Sequence, residues 1–186
     1  AYGDQHPVVS NSIHTLGILK SEMGNKDEAL QLFQRSLKAR EDAGDARMTS
    51  SLTAVGMLLA QQGKREEAIP YYEKAIKAIE RFNGPNHPRL GFPLFALGEV
   101  RQAQKQFDQA EALYRRALQI RTAKLGSEHV LLADPLMGLG EIQLARQQPK
   151  AAIPYFERAL NVRKSGAGGA VRKANTLFAL ARALWE

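Results

Sequence analysis

The sequence contains no cysteine, so it can form no disulfide bond, no cysteine-based zinc site and no thiol nucleophile. We therefore expect a cytoplasmic protein. No apolar run approaches the ~20 residues that a membrane-spanning helix needs, and the most apolar stretch, 130–144, is interrupted by Asp134, Pro135 and Glu141. No signal peptide is present at the start. What remains is a chain of 186 residues, 44% apolar and 24% charged, that can bury a substantial core.

One pattern of residues recurs along the chain. A glycine preceded by Leu or Val is followed after 12, 16 and 19 residues by alanine, an aromatic residue and a second small residue. The four glycines are Gly17, Gly56, Gly98 and Gly140. They are spaced by 39 or 42 residues, which is typical of helical repeat proteins. A partial fifth copy contains Leu180 and Ala181.

Each copy predicts two amphipathic helices, because its apolar residues recur every three or four positions. The glycine of the first helix is predicted to let the second helix approach closely, with the aromatic ring filling the space beside it. Pro70 and Pro154 are predicted to mark late or slightly distorted starts of second helices, with no break in the middle of a helix, since proline is tolerated in a first turn.

The Leu-Gly, Ala, aromatic, Ala pattern resembles the tetratricopeptide repeat (TPR). Gly-x-x-His-Pro loops at 3–7, 84–88 and 126–130, the last with Val130 in place of proline, are similar to those of the 42-residue kinesin light chain repeat. The resemblance implies an all-α, right-handed solenoid of antiparallel helix-turn-helix units. We expect a single array over 1–186 that is a fragment of a longer protein, with a flexible or re-angled linker at 165–169. The predicted repeats are about 6–45, 46–86, 87–128 and 129–169, with a partial repeat at 170–186.

No catalytic constellation is found in the sequence. His6, His87 and His129 occupy the same loop position in different repeats, so we expect them to hold their loops rather than converge on a metal ion. The glycine-rich stretch 166–169 lacks the strand and the lysine of a phosphate-binding loop. We therefore expect no enzyme activity, no cofactor and no metal site.

The resemblance also implies that one face of each first helix lines a concave groove. An apolar ladder with Glu99 and Glu141 beside it suits a peptide that carries apolar anchors and a Lys or Arg. The alternative is that these side chains pack against adjacent first helices. The candidate groove residues are Asn11, His14, Thr53, Met57, Phe92, Phe95, Glu99, Gln102, Asp134, Met137, Glu141, Phe178 and Arg182.

A protein-interaction scaffold is the leading interpretation, and other functions stay open. The C-terminal helix, with Phe178 and Trp185, could mediate self-association, or the array could be the regulatory arm of a larger protein. The net charge of +7 is compatible with nucleic-acid binding. Binding of that kind would weaken steeply as the salt concentration rises. Most positive residues of the second helices, Arg40, Arg121 and Arg163 among them, are interpreted instead as a solvated outer face.

Overall fold

The computed structural model describes residues 6–164 and 170–185, and these residues form helices, turns and loops without a strand. The helices are α1 (Pro7–Glu22), α2 (Lys26–Asp42), α3 (Met48–Gln61), α4 (Arg65–Asn83), α5 (Gly91–Ala103), α6 (Phe107–Leu125), α7 (Ala133–Ala145), α8 (Pro149–Lys164) and α9 (Ala170–Trp185). Short 3-10 turns, Pro88–Leu90 and Val130–Leu132, precede α5 and α7.

The chain divides into two compact units, Ala1–Pro85 and Asn86–Glu186. In the first unit, α1 packs along α2 and α3 along α4, and α2 also contacts α3. In the second unit, α5 packs along α6 and α7 along α8, while α9 lies against α8 and α7. The helical hairpin predicted from the repeat is therefore the building block of each unit.

The predicted close approach at the repeat glycines is confirmed. A Cβ atom added at Gly56 would lie 2.7 Å from Cε1 of Tyr72, and one at Gly98 would lie 2.6 Å from Cε1 of Tyr114. These rings are almost fully buried, and the alanine four residues before each ring is completely buried. The missing side chain thus makes room for the ring of the second helix, as it also does at Gly17 and Gly140.

The late helix starts predicted at the second-helix prolines are wrong, whereas the predicted absence of a break in the helix is confirmed. Helix α4 begins at Arg65, five residues before Pro70, and α8 begins at Pro149, five residues before Pro154. Both prolines are exposed, so the lost backbone hydrogen bond faces water and the helix continues through them.

The turn inside each hairpin contains a residue with positive φ, seven positions after the repeat glycine. It is Gly24 (φ 84°) and Gly63 (φ 82°) in the first unit, but Lys105 (φ 61°) and Gln147 (φ 59°) in the second. Glycine adopts this conformation without a steric cost, whereas a residue with a Cβ does not. The two hairpins of the second unit therefore have strained turns.

The predicted role of the loop histidines is observed in the structure. Nδ1 of His6, His87 and His129 accepts a hydrogen bond from the backbone N–H two residues later, at 3.2 to 3.3 Å. Each ring therefore caps the helical turn that follows it. Residues 3–5 of the first loop and the predicted flexible linker at 165–169 lie outside the described residues.

Candidate functional site

Three arginines of the second helices are buried, so their interpretation as part of a solvated outer face is wrong. Arg40, Arg121 and Arg163 are 3%, 8% and 8% exposed, and each follows the aromatic ring of its helix by seven residues. Seven residues are two helical turns, which places each guanidinium on the same buried side as the ring. Position in the repeat, not charge, decides where these arginines lie.

Each buried arginine connects its own first helix to the segment that follows its second helix. Arg121 Nη2 donates to the carbonyl of Gly91 at 2.8 Å, and its Nη1 donates to the carbonyl of Leu131 at 2.5 Å. Arg163 donates to the carbonyl of Arg172 at 2.6 Å and pairs with Asp134 at 3.0 Å. Burial lowers the pKa of Arg121, yet these acceptors compensate its charge.

The second unit contains a cavity of about 500 Å³ beside its first helices. Helix α5 contributes Phe95, Glu99 and Gln102, which are four and three residues apart and so share one face. Helix α7 contributes residues at the corresponding spacing. Six of the predicted groove residues are thereby brought together, namely Phe95, Glu99, Gln102, Asp134, Met137 and Glu141.

The floor of the cavity is a polar network on the Tyr114 ring. The Tyr114 hydroxyl donates to Gln102 Oε1 at 2.8 Å, and Gln102 Nε2 donates to Glu141 Oε2 at 2.9 Å. Burial raises the pKa of Tyr114, and the charges of Glu99 and Glu141 raise it further. The phenol therefore stays neutral, and the negative potential of both carboxylates reaches the cavity floor.

Apolar walls complete the cavity. Phe95 is half-buried, with its ring centroid 5.7 Å from that of Tyr114 and 5.7 Å from the Arg121 guanidinium carbon. Met137 is also half-buried and packs against clusters on both sides of α7. Both side chains therefore pack against neighbours and also line the cavity.

Asp134 is the third carboxylate of the cavity. Its Oδ1 is paired with the buried Arg163, so its charge is neutralised locally. Glu99 and Glu141 are exposed at the cavity. All three predicted acids therefore line the cavity.

A second cavity of about 460 Å³ adjoins the same helices. Met137 and Glu141 line it together with Phe178 and Arg182 of α9. Phe178 is 73% exposed. Phe92, also predicted for the groove, is exposed at the start of α5 and lines neither of these cavities.

Three of the four predicted residues of the first unit have local partners. Asn11 Oδ1 accepts from Arg40 at 2.8 Å, and the Thr53 hydroxyl donates to the carbonyl of Thr49 at 2.8 Å. His14 Nδ1 lies 3.3 Å from the Ser51 hydroxyl. Its ring packs on Phe33 with centroids 5.0 Å apart, and Met57 is half-buried.

Burial lowers the pKa of His14 to about 4, and the nearby charge of Arg40 adds to the shift. This imidazole is therefore neutral at physiological pH.

Six residues that line the larger cavity are absent from the sequence prediction. Tyr114 and Arg163 lie on second helices, which the groove spacing does not include. Gly138 stands where the other repeats have Thr or Ala, and a Cβ atom there would collide with the Tyr114 ring, so this glycine was a detectable signal. The six are Ala103, Phe107, Tyr114, Gly138, Arg163 and Arg172, whereas the lining residue Asn175 stands at the groove position that the repeat spacing predicts on α9.

The net charge is distributed unevenly between the units. Residues 1–85 contain eleven Lys and Arg and eleven Asp and Glu, whereas residues 86–186 contain fifteen and eight. The whole charge of +7 therefore belongs to the second unit. Glu99 and Glu141 therefore form an acidic side of the cavity within a unit whose net charge is positive.

A family model described as "Tetratricopeptide repeat" matches residues 1–42, 47–123 and 93–165. The chain belongs to the tetratricopeptide repeat family. The predicted fold class, an all-α array of antiparallel TPR hairpins, is confirmed. TPRs generally mediate protein–protein interaction, and TPR proteins are typically non-enzymatic scaffolds.

Solved structures of kinesin light chain-like TPR proteins share this fold. BtubC (BKLC) from P. vanneervenii is 20% identical, with a TM-score of 0.82 over 95% of this chain and 72% of its own. The putative kinesin light chain of Podosopora anserina with nearly identical TPR-like repeats is 20% identical, with a TM-score of 0.74 over 97% of this chain and 87% of its own. A point-substituted form of that protein is 18% identical, with a TM-score of 0.75 over 100% of this chain and 88% of its own.

No curated protein matches this sequence significantly. Among the described residues, no helix has the length and apolar character needed to cross a membrane.

Proposed function

We propose that this TPR chain is a protein-interaction scaffold whose second unit binds a partner segment carrying a Lys or Arg between apolar residues. The observation that carries the proposal is the cavity of about 500 Å³ with Phe95 and Met137 as apolar walls and Glu99 and Glu141 on one side. Its volume lies in the range of ordinary binding pockets.

The chemistry of the cavity favours a long cationic side chain. The methylene stem of Lys or Arg can pack along Phe95 and Met137 while its charged head reaches the two carboxylates. The neutral Tyr114 hydroxyl adds no opposing charge. Two arginines also line the cavity: Arg163 is paired with Asp134, and Arg172 is exposed on the α9 side. Apolar residues flanking the cation would occupy the neighbouring cavity at Phe178, so the segment would follow α5, α7 and α9 in turn.

The proposal is tested by selecting peptides from a random displayed library on the full chain. We expect the selected peptides to be enriched in Lys or Arg flanked by apolar residues. The net charge of +7 makes this outcome discriminating, because non-specific attraction would enrich acidic peptides instead. Enrichment of acidic peptides, or no enrichment, would contradict the proposal.

A matched charge control separates the cavity from the rest of the surface. The double variant Glu99→Lys/Glu141→Lys should lose the selected peptides. The control variant Glu66→Lys/Glu157→Lys makes the same change of four charge units at two exposed carboxylates that line neither cavity, and it should keep them. Equal loss in both variants would mean that overall charge, not the cavity, controls binding.

A further inference from the structure

The cavity of about 500 Å³ has two ends, which lie along α7 and differ in charge. Glu141 stands at one end together with Glu99 of α5, and both carboxylates are exposed there. Asp134 stands at the other end, seven residues earlier on α7 and therefore about 10 Å away along the helix axis. A cationic side chain of the partner accounts for the Glu141 end alone.

The Asp134 end carries a net positive charge. Arg163 donates to the Arg172 carbonyl at 2.6 Å and to Asp134 at 3.0 Å, so Arg172 stands beside this carboxylate. The charge of Arg163 is neutralised by Asp134, and the guanidinium of Arg172 adds a second positive charge. Arg172 is exposed and lines the cavity with Asn175, which lies three residues later on the same face of α9. This end of the cavity is therefore suited to a carboxylate.

The repeat shows that the basic character belongs to α9. Arg182 stands at the repeat position that Glu99 and Glu141 occupy on α5 and α7, and it lines the second cavity together with Glu141. Residues 170–185 contain three basic residues but no Asp or Glu. The groove side of the second unit thus changes from acidic on α5 and α7 to basic on α9, and a partner that carries cations alone matches only the acidic part.

The distance between the two ends sets the spacing of the charges in the partner. In an extended segment, side chains two residues apart project on the same side, with their Cα atoms about 7 Å apart. The long stem of a Lys or Arg can lie along Met137 and cover the remaining few ångströms to Glu141. Adjacent side chains project on opposite sides, so an acidic residue directly beside the cation would point away from Arg172.

We propose that the second unit recognises a dipolar partner segment, in which a Lys or Arg bound at Glu99 and Glu141 is two residues away from an Asp or Glu bound at Arg172 and Asn175. This inference rests on the proposed function, because the cation must occupy the cavity, and it adds the acidic residue as a second determinant. The ion pair with Arg172 fixes the register of the segment along α7.

The test uses a Lys-containing peptide selected on the full chain, acetylated and amidated so that its ends carry no charge. Asp and Asn are compared two residues before the Lys and two residues after it, since Asn has nearly the same shape without the charge. In one of the two orders, the Asp peptide should bind the wild-type chain about three- to fivefold more tightly than the Asn peptide in isothermal titration calorimetry. This gain is the upper part of the range for an exposed ion pair.

A matched peptide control separates the ion pair from general attraction. The chain has a net charge of +7, so any added Asp increases its attraction to the peptide. Asp placed directly beside the Lys adds the same charge but points away from Arg172, and it should give no comparable gain over Asn. An equal gain at both spacings would overturn the proposal.

Variants of the chain identify the residue that binds the carboxylate. Arg172→Gln should abolish the advantage of the Asp peptide, and Arg172→Glu should reverse it, while circular dichroism shows an unchanged helix content. Lys173→Glu is the matched control, because Lys173 is an exposed cation of the same helix that lines neither cavity, and this variant should keep the advantage. Equal loss in Arg172→Glu and Lys173→Glu would mean that the overall charge of α9 attracts the peptide, and would overturn the assignment.

A failure of this inference differs from a failure of the proposed function. Replacing the Lys of the peptide by norleucine removes the cation that Glu99 and Glu141 bind. If this change weakens binding while the Asp and Asn peptides bind equally in both orders, the cavity binds a cation alone and the dipolar segment is wrong. If selection yields no peptide with Lys or Arg, or if norleucine binds as well as Lys, the proposed function itself is contradicted and this inference with it.

Discussion

Gly56→Ala probes the contact on which every hairpin depends. The added Cβ would lie 2.7 Å from Cε1 and 3.0 Å from Cδ1 of Tyr72, a ring that is 2% exposed and has little room to move. Overpacking of this kind costs about 1–3 kcal/mol, and alanine regains about 1 kcal/mol of helix propensity. With a contact this short, we expect a net loss of about 1–2 kcal/mol in the free energy of unfolding.

The assay is thermal unfolding followed by circular dichroism, in which this loss should lower the Tm by about 2–8 °C. Tyr72→Leu provides the second half of a double-mutant cycle. Without the ring, Gly56→Ala should become stabilising by up to about 1 kcal/mol, so the coupling between the two positions should be about 2–3 kcal/mol. A Gly56→Ala protein as stable as the wild type, or a cycle without coupling, would refute the close-approach argument.

Three further predictions concern buried charge, turn strain and pH. Arg121→Met should cost about 2–3 kcal/mol of stability in a urea titration, because it leaves the buried carbonyl of Gly91 and the partly buried carbonyl of Leu131 without their charged donor. Arg115→Met, at an exposed ion pair with Glu111, should cost less than about 1 kcal/mol in the same titration. Lys105→Gly should raise the stability by about 0.5–1 kcal/mol because glycine adopts the φ of 61° without strain, and an unchanged or lower Tm would contradict this. The pKa of His14 is about 4 in the folded chain against 6.5 for an unperturbed histidine, so the unfolded chain binds a proton first as the pH falls. Stability should be constant above about pH 6.5 and fall between 6.5 and 4, by on the order of 1 kcal/mol after allowance for partial exposure, and His14→Gln should remove this part of the pH dependence.

The fold could be predicted from the sequence because its determinants are local and repeated. The same contact between a glycine and an aromatic ring sixteen residues later occurs in all four repeats, at Gly17, Gly56, Gly98 and Gly140. The histidine caps were predictable for the same reason. Helix α4 departs from the expectation because Pro70 faces water, and the solvent satisfies the carbonyl that proline leaves without a donor.

The candidate site was predictable only in part. The i, i+4, i+7 spacing identified Phe95, Glu99 and Gln102 as neighbours on α5, and a single helix is enough to establish that. The floor of the cavity involves tertiary packing between helices, so Tyr114 was assigned to the core alone. The positive charge of Arg163 suggested a surface position, which was wrong. Its repeat position and its ion pair with Asp134 together explain why it is buried.

The most direct test of the proposed function is a charge exchange at the cavity, measured by isothermal titration calorimetry. A selected peptide with one Lys is titrated into the wild-type chain and into Glu99→Lys/Glu141→Lys, and the same peptide with Lys→Glu is titrated into both. The cavity account predicts that the double variant binds the Lys peptide at least about tenfold more weakly, a difference of ~1.4 kcal/mol, and gains affinity for the Glu peptide. Equal affinities of the two chains for the Lys peptide would contradict it.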